Sequence, residues 1–217
     1  MKIIAVSVGV PAPLNTSRGQ VLSSITKHPI TGRVPVSFGG LAGDQQADRS
    51  VHGGANKAIC LVPSEHYPRW SEFLKSASLP TAFFGENLTT VGVSERSLCI
   101  GDVLEVGTTR LMVRSPRLPC YKFVARAGRS DAARFMLNEA MTGLYLSVEE
   151  EGEIGAGDAI RVSTPHPDRV SIADYVDAMM QKLPSERVEK ILRNHALPDD
   201  RKQLLVRRIE ARYDGSV

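Results

Sequence analysis

A mainly β protein with added helices is predicted by three features of the sequence. Short alternating or fully apolar runs recur from the start of the chain to about Ser163, separated by glycine-containing breaks. A turn feeding an alternating strand occurs twice, as Gly101-Asp102-Val103-Leu104-Glu105-Val106 and as Gly157-Asp158-Ala159-Ile160-Arg161-Val162. Past Thr164 the apolar spacing becomes that of short amphipathic helices. The repeated turn, with more strand between its copies, fits a curled sheet or barrel. The copies are too short to be a tandem duplication.

The first ten residues form an apolar, β-branched stretch behind one lysine. Pro11 and Pro13 follow at once, so a first strand fits better than a signal peptide. Val34-Pro35-Val36-Ser37-Phe38 alternates until Gly39-Gly40 breaks it. Lys57 to Val62 reads as a short apolar strand. Leu98 to Val106 and Thr109 to Arg114 read as two strands joined at Gly107. Two helices interrupt them. After Ser64, Tyr67, Trp70, Phe73, Leu74 and Ala77 follow helical spacing, with Pro68 limiting how early regular turns begin. Trp70 and Phe73 are read as core. Ser130 is expected to cap a second helix carrying Phe135, Met136 and Ala140, with Gly143 ending it.

Pro165-His166-Pro167 marks the expected boundary between a sheet domain, 1–163, and a three-helix C-terminal domain, 164–217. Ser171 with Asp174 resembles a capping box ahead of Ile172, Tyr175, Val176 and Met179. Ser185 can cap a helix with Val188, Ile191 and Leu192, and Pro198-Asp199-Asp200 opens another with Leu204, Leu205 and Ile209. So short a helical piece buries little surface alone. It is expected to pack on the first domain or on another subunit.

Composition narrows the function. The 217 residues are 42% hydrophobic and 24% charged, which excludes disorder. A net charge of +3 is too mild to name a nucleic acid or a membrane, yet suits a pocket for an anion. Arg207, Arg208 and Arg212 are interleaved with Glu186, Glu189, Asp199, Asp200 and Glu210, the pattern of a solvated face. No apolar run approaches the roughly 20 residues needed to cross a bilayer. Three cysteines without a Cys-x-x-Cys arrangement argue against a disulfide framework and a closed zinc site, and for a reducing cytoplasm. Cys60 and Cys99 lie in apolar runs and read as core fillers.

Cys120 has a different setting. It lies in Ser115-Pro116-Arg117-Leu118-Pro119-Cys120-Tyr121-Lys122, directly after a strand-like segment. The prolines fix φ and remove donors, which places the thiol at the end of a stiff turn. Arg117 and Lys122 favour the thiolate, the form that attacks electrophiles and binds soft metals. The stretch from Gly39 to Lys57 is the second feature. Its glycines bracket Asp44, Asp48, His52 and Lys57, with little to build a core. Such backbone approaches anions closely, although the spacing is not that of the common nucleotide-binding loop. Phe84-Gly85-Glu86-Asn87-Leu88 could set an acid and an amide at a pocket rim, or be an ordinary turn. His66 belongs to a helix start, and His28, His166 and His195 carry no constellation. Cys120, His52 and an aspartate could also be drawn as a hydrolase triad, without any local nucleophile signature. On the residues alone, ligand loop and hydrolase both stay open.

Taken in order, Gly43-Asp44, Asp48, His52-Gly53-Gly54, Lys57-Ala58, Phe84-Gly85-Glu86-Asn87-Leu88, Cys99-Ile100-Gly101-Asp102, Pro116-Arg117, Pro119-Cys120 and Lys122 resemble the MOSC-domain family. The likeness is strongest to its YiiM-type branch and covers residues 1 to about 163; the helical tail resembles the three-helix C-terminal domain of that branch. The resemblance implies a MOSC-type β-barrel with peripheral helices. It implies the molybdenum cofactor (molybdopterin), with Cys120 as the protein's ligand to the metal. Arg117, Lys122 and Arg126 would meet the cofactor's phosphate or pterin oxygens. Gly53, Gly54, Lys57 and Asn87 would complete the pocket. The implied reaction reduces N-hydroxylated compounds such as hydroxylaminopurine to amines, with Asp48, His52 and Glu86 as proton sources. No flavin or nicotinamide fingerprint and no cluster-binding cysteines occur, so a separate electron-donor protein is implied. A homodimer is compatible with it, and neither a membrane nor a nucleic-acid polymer is expected as partner. The alternative is a sulfur carrier or cofactor-handling module bearing a persulfide on Cys120.

Overall fold

The structure is a computed structural model that describes residues 1–48 and 53–213. Its first half opens with β1 (Lys2–Val8), a hairpin of β2 (Ala12–Thr16) and β3 (Gly19–Ser23), then β4 (His28–Ile30), β5 (Arg33–Ser37) and β6 (Gly40–Leu41). A 3-10 turn at Ala55–Lys57 leads into β7 (Ile59–Pro63), α1 (His66–Leu74) and β8 (Leu88–Val91). β7 and β8 pair in parallel, so α1 is the crossover between them. β9 (Val103–Val106), β10 (Thr109–Pro116), α2 (Tyr121–Ala127), α3 (Ala132–Asn138), β11 (Leu144–Glu150), β12 (Gly152–Gly155) and β13 (Ile160–Thr164) follow. The tail is α4 (Ile172–Met179), α5 (Ser185–Arg193) and α6 (Asp199–Tyr213).

Eight strands form the main sheet in the order β13-β9-β10-β11-β7-β8-β1-β4. The mainly β fold with helices is therefore present. A closed barrel is not found among the described residues: β1 meets the segment before β13 only through the bridge Lys2–Ala159 and flanking backbone bonds. The strands fed by the two echoed turns end up side by side, with the turns at opposite ends of the pair. β9 and β13 pair antiparallel, Val106 opposite Ile160. Each aspartate accepts a backbone N–H three residues back at 2.8 Å, Asp102 from Cys99 and Asp158 from Gly155. Gly101 and Gly157 take φ of +92° and +94°, which a side chain would strain.

Burial follows the strand pattern. In β5, Val34 and Val36 point inward and Arg33, Pro35 and Ser37 outward. β7 is buried at every position, as expected for an inner strand covered on both faces. A second cluster surrounds Trp70, fully buried with Phe73, Phe84, Phe123 and Phe135 edge-on to it at 4.8–5.5 Å. Trp70 and Phe73 are thus core, as expected.

The tail is fastened to the sheet. Ile172, Tyr175, Ile191, Leu197 and Leu205 belong to the same apolar cluster as the strands. Burying each large side chain contributes roughly 1.5–3 kcal/mol. Ser171 and Asp174 form the expected capping box. Other helix limits differ from expectation. Pro184, not Ser185, precedes α5; Asp131, not Ser130, precedes α3, which ends at Asn138. α1 stops before Ala77 because Lys75 turns left-handed. α2 was not foreseen, since the prolines around Cys120 read as a turn.

Candidate functional site

One cavity gathers most of the polar residues singled out above. Its wall takes Ser23, Ser24, Ile25 and Lys27 from the end of the hairpin, and Asp44 to Asp48, Gly53 and Lys57 from the glycine-rich stretch. Cys60, Phe84, Gly85, Asn87, Arg117, Leu118, Cys120, Lys122 and Tyr145 complete it. His52 lies outside the described residues.

Cys120 is half-buried on this wall. β10 ends at Pro116, and the Arg117 N–H donates to the Gly143 carbonyl at 3.1 Å, fixing the exit from the sheet. After Pro119 the backbone of Cys120 is extended, and its carbonyl accepts the Val124 N–H at 3.0 Å. The stiff segment therefore delivers Cys120 to the first position before α2. Cys60 is the second thiol on the wall, on the inner strand opposite Tyr145. Burial pushes its pKa up to about 12, against the pull of Arg117 and Lys27. Cys60 thus stays protonated at neutral pH, and Cys120 is the more open thiol.

The cations are held by the protein. Arg117 donates to the Phe84 carbonyl at 2.6 Å and lies over the Phe123 ring at 4.8 Å. Lys122 donates to the Leu22 carbonyl at 3.1 Å, and Lys57 pairs with Asp200 at 3.1 Å. Asn87 faces the cavity, but its amide ties strands together: Oδ1 accepts the Cys60 N–H at 3.0 Å and Nδ2 donates to the Ser7 carbonyl at 3.2 Å.

Three residues picked from the sequence are not on the wall. Glu86 is buried, accepting from the Tyr67 hydroxyl, from Thr89 Oγ1 at 3.0 Å and from the Phe84 N–H at 3.1 Å. Burial raises its carboxyl above the usual range, although these donors pull the other way. Arg126 donates to the Phe83 carbonyl at 2.5 Å and to Thr26 Oγ1 at 2.9 Å. Gly54 is exposed beside the cavity. Lys27, Tyr145 and the cavity role of Cys60 were missed. Lys27 stands in Ser23-Ser24-Ile25-Thr26-Lys27, which carries no motif, and only the fold brings it to Asp44.

No group of three or more His, Cys, Asp or Glu able to hold a metal ion occurs among the described residues. The wall instead offers one accessible soft donor among cations. That set suits a metal arriving with most of its ligands already attached to an anionic organic group.

Residues 48–161 match the MOSC domain family. The chain belongs to that family. MOSC domains are associated in general with molybdenum cofactor binding. The chain is 37% identical over 155 residues to YflK of Bacillus subtilis (strain 168), covering 71% of this chain and 70% of YflK. It is 32% identical over 155 residues to a protein named "Reductase" from Gibberella moniliformis, covering 69% of this chain but only 27% of that one. The crystal structure of YiiM from Geobacillus stearothermophilus superimposes with a TM-score of 0.79 at 26% identity, covering 95% of this chain and 98% of that one. Among the described residues no helix is long and apolar enough to cross a membrane.

Proposed function

We propose that this chain binds the molybdenum cofactor through Cys120 and reduces N-hydroxylated compounds, such as hydroxylaminopurine, to amines. One observation carries the reading: a single open thiol stands on a cavity wall shared with Lys27, Lys57, Arg117 and Lys122. The family match and the relative named a reductase support an oxidoreductase-like role. When bound, the cofactor supplies the two-electron redox chemistry, and the protein supplies ligation, orientation and protons. Cys120 would hold the metal. Arg117, Lys57 and Lys122 would set a positive potential for the cofactor's anionic groups, and Gly53 would let backbone approach them. Of the expected proton sources among the described residues, Asp48 lines the cavity and would relay protons into it from solvent. Electrons would come from a separate donor protein, and residues 1–163 would carry the chemistry with 164–217 as support.

Metal analysis of protein purified from a cofactor-making host tests the reading. About one molybdenum per chain is expected for the wild type, as for other one-thiolate sites, and Cys120→Ser should lose it. Equal metal in both proteins would remove Cys120 as ligand. A mass increase of about 32 Da, one sulfur atom on a reactive thiol, without metal and reversed by reductant, would favour a sulfur carrier instead.

A further inference from the structure

Three segments converge at one corner of the cavity. The end of β1 brings Gly9, the chain before β4 brings Lys27, and the turn after β6 brings Asp44. Lys27 and Asp44 form an ion pair whose side chains are only 7% and 4% exposed. Asp44 Oδ1 also accepts the Gly9 N–H at 2.8 Å. A Cβ on Gly9 would sit 2.6 Å from the Thr26 carbonyl and 3.1 Å from Lys27 Cγ. Glycine at that position therefore makes room for the lysine stem. Among the described residues Asp44 is the one hydrogen-bond partner of the Lys27 ammonium, which carries three N–H donors. A buried cation with donors left over, on the wall that holds Cys120, is built to meet an acceptor from a ligand.

We infer that Lys27, held by Asp44, is the proton donor to the oxygen that leaves the N-hydroxylated substrate. The inference rests on the function proposed above and replaces Glu86, which lies off the cavity wall. In the step, the N–O bond breaks and two electrons are taken up, which the bound cofactor would supply and the donor protein would replenish. The departing hydroxyl takes a proton from Lys27 Nζ and leaves as water. The nitrogen takes a second proton from solvent, giving the amine, and Lys27 is reprotonated from solvent beside Asp44. The charged or titratable groups sharing the wall are Asp44, Asp48, Lys57, Cys60, Arg117, Lys122, Cys120 and Tyr145.

The test compares wild type, Lys27→Met, Lys27→Arg and the double variant Lys27→Met/Asp44→Asn. Each is purified from a cofactor-making host. Molybdenum per chain, thermal unfolding, and kcat and KM for hydroxylaminopurine with a reduced viologen dye are measured. The inference expects Lys27→Met to keep its molybdenum and KM while kcat falls about 100-fold or more, the usual size of a general-acid contribution. Lys27→Arg should recover part of the rate. The double variant leaves no buried charge unmatched, so it should fold and load metal yet stay slow. Loss of molybdenum with the rate in the double variant would make Lys27 a cofactor anchor and overturn the inference. An unchanged kcat would make the pair structural and overturn it as well. A wild type without molybdenum or turnover would instead overturn the proposed function itself, and the inference with it.

Discussion

Two glycine turns each present a carboxylate, and the protein treats them in opposite ways. Gly43-Asp44 places its acid against Lys27 and the Gly9 N–H, at the edge of the cavity. Gly85-Glu86 sends its acid inward, where the Tyr67 hydroxyl, Thr89 and the Phe84 N–H surround it beside the aromatic cluster. One buried acid is met by a cation, the other by neutral donors. The first arrangement keeps charge at a site open to ligands. The second holds a carboxyl whose raised pKa favours its neutral form. The comparison teaches that an acid after glycine acquires its role from what the fold brings to it.

The largest effect should come from breaking the cavity pair. Asp44→Ala leaves a buried ammonium without its counter-charge and should cost about 3–5 kcal/mol in urea unfolding. A cost below about 1 kcal/mol, the range of exposed pairs, would mean that water in the cavity already screens the pair.

Next comes the inward acid. Glu86→Leu leaves the Phe84 N–H and the Tyr67 hydroxyl without their acceptor and should cost about 1–3 kcal/mol. Its pH dependence is definite in sign. Because the folded pKa is raised, the contribution of protonated Glu86 is whole below about pH 4.3, the unfolded value. It is lost as pH rises through the folded value. Glu86→Gln should remove that slope from unfolding curves collected across the pH range. A slope unchanged by the substitution would contradict the assignment.

The smallest effect belongs to a partly exposed acid with a cation. Burial alone would raise Asp174, but Arg187 and Ser171 outweigh it and hold the carboxyl below its usual range. Asp174→Ala should cost about 1 kcal/mol through the lost cap. The contribution of Asp174 is present above about pH 3.9, the unfolded value, and is lost as pH falls through the lower folded one. Acid unfolding of this variant against wild type checks it.

Much of the fold was legible in the sequence where local chemistry decides it. Ser171 and Asp174 cap a helix through bonds to their own backbone, so spacing alone reveals them. Gly101-Asp102 and Gly157-Asp158 build the same local turn, and both are visible as turns. α2 was hidden because prolines end in a helix start at Cys120, and a seven-residue helix leaves little periodicity. At the site, Cys120, Lys57 and Gly53, all picked out from the sequence, lie on the cavity wall. Glu86 and Arg126 do not, because which way a side chain turns depends on Tyr67 and Phe83, contributed by other segments. Lys27 lies 17 residues from Asp44 in a segment without pattern, so only folding makes the pair.

The most direct measurement is X-ray absorption at the molybdenum edge of protein from a cofactor-making host, beside Cys120→Ser. The account predicts that wild type shows one sulfur neighbour more than free cofactor, and that the variant lacks that neighbour or the metal altogether. The same sulfur count at full occupancy in both would contradict it.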